Sequence, residues 1–165
     1  ARRRATESVF DCFAYDPESG VVSRRQRRGR GPSGPVGTVA VNGYLVVRFN
    51  GRARTAHRLA WELHYGEPPA GMIDHINGVR TDNRIANLRL ATAGQNQANR
   101  RVSVGASGFK GVSLHRPTGR WRATIQDRHI GLFDSKEAAA EAYDAAAIAT
   151  WGEFAAPNFG GSVNG

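Results

Sequence analysis

Asp74-His75-Ile76-Asn77-Gly78, with Asn87 and Asn96 downstream, puts a carboxylate, an imidazole and two amides into one short strand–loop–strand–helix segment. Cutting a phosphodiester needs a deprotonated water, stabilisation of charge on the phosphoryl oxygens and help for the leaving oxygen. Neighbours in extended backbone point to opposite faces. A bend at the strand end lets Asp74 reach a metal while His75 faces the attacking water. Asn96, one turn inside the following helix, completes the protein side of the coordination. Hard oxygen ligands, and few of them, suit Mg2+ or Mn2+ with water and phosphate filling the shell. His75 near its ordinary pKa of about 6.5 is a competent base at neutral pH. Asn87 holds the imidazole, or its loop, in one orientation by hydrogen bonding. Each of these residues alone reads as a turn or surface polar group, and a structural turn in a DNA-binding protein is the competing reading of the set.

The charge balance points the same way. The 165 residues carry 23 basic against 14 acidic side chains, a formal charge of +9. That favours a nucleic-acid partner over an anionic membrane surface. Residues 1–107 hold 17 arginines and 8 acidic residues, whereas residues 108–165 hold 6 of each sign, so the electrostatic footprint belongs to the first part. Hydrophobic residues make up 40%, enough for real cores, and no apolar run approaches the ~20 residues of a membrane span. Arg2, Arg3 and Arg4 are not followed by the apolar stretch of a signal peptide. Cys12 is the single cysteine, which excludes an intrachain disulfide and a cysteine-based zinc finger, and reads as a buried thiol in a reducing compartment.

Several elements must position the chemistry. Phe10 to Val22 reads as a short helical or turn segment closing through Asp16-Pro17-Glu18-Ser19-Gly20 into a brief strand. Ser23 to Pro35 carries five arginines among glycines and prolines, and reads as a loop that orders on a phosphate backbone. Val36–Val41, Tyr44–Phe49 and Arg52–Ala56 form a meander, with Asn42-Gly43 and Asn50-Gly51 each predicting a type I′ turn. His57 to Tyr65 is a helix burying Leu59, Ala60, Leu63 and Trp61, stopped by Gly66 and Pro68-Pro69. Met72-Ile73 leads as a strand into Asp74-His75, residues 79–86 connect, Asn87 to Leu90 is a second strand, and Thr92 caps a helix to about Arg100. Val102 to Gly108 reads as a linker. Three strands follow, at Phe109–Leu114, Arg120–Gln126 and His129–Phe133. An alanine-rich helix then runs from an Asp134/Glu137 start to about Thr150. Val112, Trp121, Ala123, Ile125, Phe133, Tyr143 and Ile148 make a small core that leans on residues 154–159.

At this point the sequence resembles a known family. His57-Arg58-Leu59-Ala60-Trp61, Ile73-Asp74-His75-Ile76-Asn77-Gly78, Asp82-Asn83-Arg84-Ile85-Ala86-Asn87-Leu88-Arg89 and Gln95-Asn96-Gln97-Ala98-Asn99 look like the HNH endonucleases found as homing enzymes in phages. The resemblance covers roughly residues 10–100. It implies a ββα-metal site with His75 as general base, Asp74 and Asn96 as metal ligands and Asn87 as the central asparagine. Asparagine stands where many HNH enzymes have their last histidine, which implies a single metal held by Asp and Asn. By similarity the products carry 5′-phosphate and 3′-hydroxyl ends. His57 either packs or contacts phosphate, and near the scissile group it would serve the leaving oxygen. His64 reads as a surface residue.

Residues 108–159 resemble the AP2 DNA-binding domain. The resemblance lies in Phe109-Lys110-Gly111-Val112, Gly119-Arg120-Trp121-Arg122-Ala123-Thr124-Ile125, Gly131-Leu132-Phe133-Asp134, the 137–146 helix and Pro157-Asn158-Phe159. It implies a three-stranded sheet in the major groove with a helix behind. Alternation gives a reading face of Lys110, His115 or Arg116, Arg120, Arg122, Thr124, Gln126 and His129, with Trp121 on the core side. Ser113 and His115 stand where arginines usually sit, so the plant target sequence does not carry over.

The fold expected is α+β: an N-terminal β-meander leading into a ββα-metal unit over residues 1–101, a linker at 102–108 and an AP2-like sheet and helix over 109–160. The function expected is a homing-type, metal-dependent endonuclease cutting or nicking double-stranded DNA. Arg24, Arg25, Arg27, Arg28, Arg30, Arg58, Arg84 and Arg89 would hold the backbone. A non-cleaving DNA-binding regulator and a packaging-associated phage nuclease are the alternatives. The expected setting is the cytoplasm of a phage-infected bacterium, with no membrane partner, and either a monomer or a homodimer.

Overall fold

A computed structural model describes residues 7–25, 34–100 and 104–160. Arg2, Arg3, Arg4, Arg27, Arg28, Arg30, Arg101 and residues 102–103 of the linker lie outside the described residues. The architecture is mixed α+β with several small antiparallel sheets. The chain divides into two units, residues 1–91 and 92–165. No described helix is long and apolar enough to cross a membrane.

The first unit opens with a single helical turn, α1 (Val9–Cys12), capped by Ser8 in a reciprocal box with Asp11. A hairpin follows, β1 (Phe13–Asp16) with β2 (Val21–Arg24), and β2 also pairs with a short β3 (Gly34–Pro35). Sequence reading placed a helical or turn segment where β1 stands. Phe13, fully buried under the helix that follows later, settles this stretch as strand through a tertiary contact that no local pattern encodes.

The meander forms as expected from β4 (Thr38–Val39), β5 (Leu45–Phe49) and β6 (Arg52–Thr55), all antiparallel. Asn50 (φ 48°) and Gly51 (φ 75°) occupy the two positive-φ positions of a tight turn. The other Asn-Gly pair behaves differently. Only Gly43 has positive φ, and Gly43 N–H donates to the Ala40 carbonyl across a longer connection, so the first turn is not type I′. Val47 is buried while Arg48 is exposed, the alternation of a half-buried strand.

Helix α2 (Ala56–Tyr65) ends on Gly66 in the left-handed region, as its sequence predicts. It lays Ala56, Leu59 and Ala60 against Phe13, Val22, Val47, Ile73 and Leu88 in one core. Strand β7 (Met72–His75) pairs antiparallel with β8 (Leu88–Ala91), placing Asp74 opposite Arg89 and His75 opposite Leu88.

The second unit begins with α3 (Ala93–Asn99), where Thr92 and Gln95 complete a capping box. Its sheet has the order β11–β10–β9, from β9 (Val112–His115), β10 (Arg120–Ile125) and β11 (Arg128–Phe133), with Gln126 and Asp127 both at positive φ in the last turn. Helix α4 (Lys136–Trp151) covers it, its alanines 139, 140 and 147 fully buried. Ser135, not Asp134, is the N-cap and accepts from the Ala138 amide. Ile148, expected in the core, is 43% exposed, because the Tyr143/Ala147 face is the one turned to the sheet. Ser107, expected in the linker, is buried and donates to the Val112 carbonyl.

Candidate active site

Strand β7 delivers Asp74 and His75 side by side, and both are buried. The loop that follows is closed on Asn87. Asn87 Oδ1 accepts from the Asn77 amide at 2.9 Å, its Nδ2 donates to the Asp82 carbonyl at 2.8 Å, and its carbonyl accepts from the Ile76 amide at 2.9 Å. Asn77 ties the same loop inward by donating to Asp82 Oδ2 at 2.7 Å. Asp82 in turn carries a two-point bond with Arg84, whose hydrogen bonds hold the Asp82 carboxyl down at about 2. Thus Asn87 acts on the loop backbone.

His75 is only 4% exposed, and its Nε2 lies 3.1 Å from Oδ1 of Asn83, itself 1% exposed. Burial pushes the imidazole below its ordinary value, against the opposing pull of that hydrogen bond and of Asp74. Near neutral pH the ring is therefore uncharged. Two further rings wall it in: His57 at 5.2 Å between centroids and Tyr44 at 5.9 Å, with His57 and Tyr44 5.1 Å apart. His57, 8% exposed, is lowered to about 4 by burial and by the neighbouring His75. His64 is exposed and meets the Tyr65 and Tyr15 rings edge to face.

Asp74 is engaged from across the ladder. Arg89 Nε and a terminal guanidinium nitrogen both reach Asp74 Oδ2, at 3.0 and 2.9 Å. Asn96 sits on α3, in the second unit.

A family model described as HNH endonuclease matches residues 54–98, the stretch that holds His57, Asp74, His75, Asn83, Asn87, Arg89 and Asn96 but not Tyr44. The uncharacterized HNH endonuclease L560 of Acanthamoeba polyphaga mimivirus is 32% identical over 123 residues, covering 71% of this chain and 63% of its own length. The AP2/ERF and B3 domain-containing protein Os01g0141000 of Oryza sativa subsp. japonica is 38% identical over 92 residues, which is 53% of this chain and 23% of that protein. The AP2-like ethylene-responsive transcription factor AIL7 of Arabidopsis thaliana is 38% identical over 93 residues, with 53% and 17% covered. The chain thus spans less than a quarter of the length of these plant relatives. No solved structure matches. The chain carries an HNH-type nuclease domain and a separate AP2/ERF-like DNA-binding region.

Within the HNH-type domain the arginines expected on DNA are placed unevenly. Arg24 stacks over the Phe13 ring, and Arg25 donates to the Phe13 carbonyl. Arg58 donates to the Gly71 carbonyl, Arg84 is exposed against Asp82, and Arg89 is turned inward with its side chain 11% exposed. Arg80, which sequence reading passed over, lies on the Tyr44 ring at 5.1 Å and is exposed beside the site.

In the AP2/ERF-like region, the register sets Arg120 beside His115 and Arg122 beside Ser113, with both arginines exposed. Thr124 is on the same face, and Gln126, Arg116 and His129 are exposed at its ends. Arg120 pairs with Asp134 at 2.8 Å and His115 Nδ1 is 2.8 Å from the Thr118 hydroxyl. Trp121 packs with Val112 and Ala123 on the opposite side, where sequence alternation puts it. Lys110 is off the strand: its Nζ donates to the Ala98 carbonyl, and its backbone is clamped by Asn158, which Asp144 holds from α4. Gly111 has φ +74°, and a side chain there would stand 2.1 Å from the Tyr143 ring.

Divalent metal use is general among HNH relatives. Among the described residues no group of three or more His, Cys, Asp or Glu side chains is placed to hold a metal. The donors that are present, a buried carboxylate and amide oxygens, fit a hard cation completed by water and phosphate, not a soft one. Asn83 is the residue that sequence reading missed. It lies inside a quoted motif, and an asparagine with no turn to make between Asp82 and Arg84 was the available signal.

Proposed function

We propose that the chain is a site-preferring endonuclease that hydrolyses one phosphodiester of double-stranded DNA per active site. The observation that carries this reading is the Ile76–Asn87 loop locked on Asn87, which fixes a neutral, buried imidazole beside a carboxylate in a strongly basic unit. His75 removes a proton from water. The water oxygen adds to phosphorus, the P–O3′ bond breaks, and the departing oxygen takes a proton from solvent, leaving 5′-phosphate and 3′-hydroxyl ends. Asp74 and Asn96 are the residues proposed to hold Mg2+ or Mn2+, which when bound would offset charge on the phosphoryl oxygens. The AP2/ERF-like sheet adds affinity and register by effective concentration. Homing and a phage-infected bacterial host belong to this proposal, as does the division into nuclease (1–101), linker (102–108) and DNA-binding (109–160) segments.

The test is cleavage of supercoiled plasmid with Mg2+ or Mn2+ by the parent and by His75→Ala. Loss of product in the variant with DNA binding intact is the expected result, and unchanged cleavage would remove His75 from its role. One observation favours a second reading, a non-cleaving DNA-binding regulator. The Arg89 guanidinium seated on Asp74 competes with a cation for the same carboxylate. No cleavage of any DNA with either metal would select that reading.

A further inference from the structure

Resting on the nuclease reading, we infer that Arg80, seated on the Tyr44 ring, binds a backbone phosphate of DNA adjoining the bond to be cut. Its guanidinium carbon lies 5.1 Å from the centre of that ring. Nη1 donates to the Asn42 carbonyl at 2.6 Å. The stem runs along the same turn, where a side chain at Gly43 would stand 3.6 Å from Arg80 Cδ. These contacts use one face and one N–H of a planar fork that carries five. Among the described residues no carboxylate pairs with Arg80, whereas Arg54, Arg84 and Arg89 of the same unit meet Glu62, Asp82 and Asp74. An exposed guanidinium that is fixed in place and keeps further N–H groups is suited to two oxygens of one phosphate.

Both sides of this seat are held. The Tyr44 carbonyl accepts from the Ala40 amide at 2.9 Å, and the Tyr44 amide donates to Asn42 Oδ1 at 3.3 Å. Arg80 rises from the loop that Asn87 locks, and the loop is braced again further on. There the Asn83 carbonyl accepts from the Tyr15 hydroxyl on β1 at 2.7 Å, and a side chain at Gly20 would lie 2.6 Å from the Asn83 carbonyl carbon. A cation already ordered on an aromatic face gives up little side-chain freedom on binding. The rings fix the location. Tyr44 lies against His57 and His75, with centroids 5.1 and 5.9 Å away. Burial does most to push the His75 imidazole down and the Arg80 charge adds to it, so that charge is within electrostatic reach of the ring. Both imidazoles are neutral near pH 7, so a phosphate approaching this side meets its positive charge at Arg80 and not at either ring. Tyr44 stands ahead of the matched 54–98 stretch, so the meander supplies the seat and the motif does not.

The experiment measures binding of the full-length parent, Arg80→Ala and Arg80→Lys to a duplex carrying the mapped cut, in EDTA and across a range of salt. Arg80→Ala is expected to bind on the order of 10-fold more weakly and to lower the slope of log K against log salt by about one, on target and unrelated sequence alike. Arg80→Lys keeps the charge without the fork, and is expected to keep the slope with an intermediate affinity. Ethylation interference places the contact: one phosphate adjoining the cut should interfere in the parent and cease to do so in Arg80→Ala. Unchanged affinity and slope in Arg80→Ala would overturn the inference, as would interference lost only at phosphates remote from the cut. An unchanged slope with relaxed site preference would overturn it in favour of a base contact. Weaker binding at the parent's slope, with displaced His57 and His75 imidazole resonances, would make Arg80 a brace of the turn and overturn it too. A slope lowered as expected in a protein that cuts no DNA would remove the nuclease reading and leave the phosphate site standing.

Discussion

Arg89 reaches across the β7–β8 ladder to Asp74, with two guanidinium nitrogens within 3.0 Å of one carboxylate oxygen. The pair follows from register, since Asp74 and Arg89 are directly opposed and share a face. Both side chains are largely withdrawn from solvent. A carboxylate so placed needs a cation of some kind beside it.

The first prediction concerns that need. Arg89→Ala removes the guanidinium opposite a buried carboxylate and should cost about 3–5 kcal/mol in urea unfolding. Adding Mn2+ should recover part of the loss in the variant and little in the parent, if the metal takes over neutralisation. Equal responses of the two proteins to Mn2+ would detach Asp74 from metal binding.

A second prediction uses His57. Its folded value of about 4 lies below its ordinary 6.5, so between those values the unfolded chain binds the extra proton. Stability is full above about pH 6.5 and falls as pH drops towards 4, by an amount on the order of 3 kcal/mol from this group. His75 is lowered too and adds in the same direction. Thermal unfolding of His57→Gln should show a shallower loss of Tm between pH 7 and 5 than the parent. An unchanged slope would mean that His57 is not buried neutral.

The third concerns Asn87. Asn87→Ala removes an acceptor from the Asn77 amide and a donor to the Asp82 carbonyl, together costing on the order of 2–3 kcal/mol. Amide exchange at Asn77 should accelerate well beyond the global change. Acceleration no greater at Asn77 than elsewhere would mean that the side chain does not lock the loop.

How much of this was legible beforehand depended on distance along the chain. Helix α2, its Gly66 stop, the Asn50-Gly51 turn and the Thr92/Gln95 box are local devices, and the sequence displays each. Strand β1 was unreadable because its residue type is decided by Phe13 inserting under α2, and Ser135 was overlooked beside an equally plausible Asp134. In the candidate site, His75, Asp74 and Asn87 stand out as a set from their spacing and from the family resemblance. The partners Asn83 and Arg89 do not, since a loop and a ladder bring them in, and neither path has a sequence period.

The fourth prediction tests the second unit. Arg122→Ala, on the exposed face of β10, should weaken DNA binding and reduce the slope of log K against log salt by about 1 if it meets phosphate. If it reads a base instead, the slope holds and site preference relaxes. Unchanged affinity, slope and preference would exclude that face as the contact.

A fifth follows from the tail. Asp144→Ala frees Asn158, which clamps both the amide and the carbonyl of Lys110, along with the amide of Phe159. The second unit should melt earlier by several degrees while the imidazole proton resonances of His57 and His75 in the first are kept. Loss of the first unit's signal in step would show that the two do not unfold independently.

Tyr15 and Asn83 are separated by 68 positions yet share a hydrogen bond, and the Gly20 bend rests on the same peptide. Anyone grafting the 54–98 stretch onto a foreign scaffold would transplant every recognisable signature and leave its brace behind. Mutational tolerance at residues 13–20 should therefore track that of the motif itself, although no pattern search would flag them.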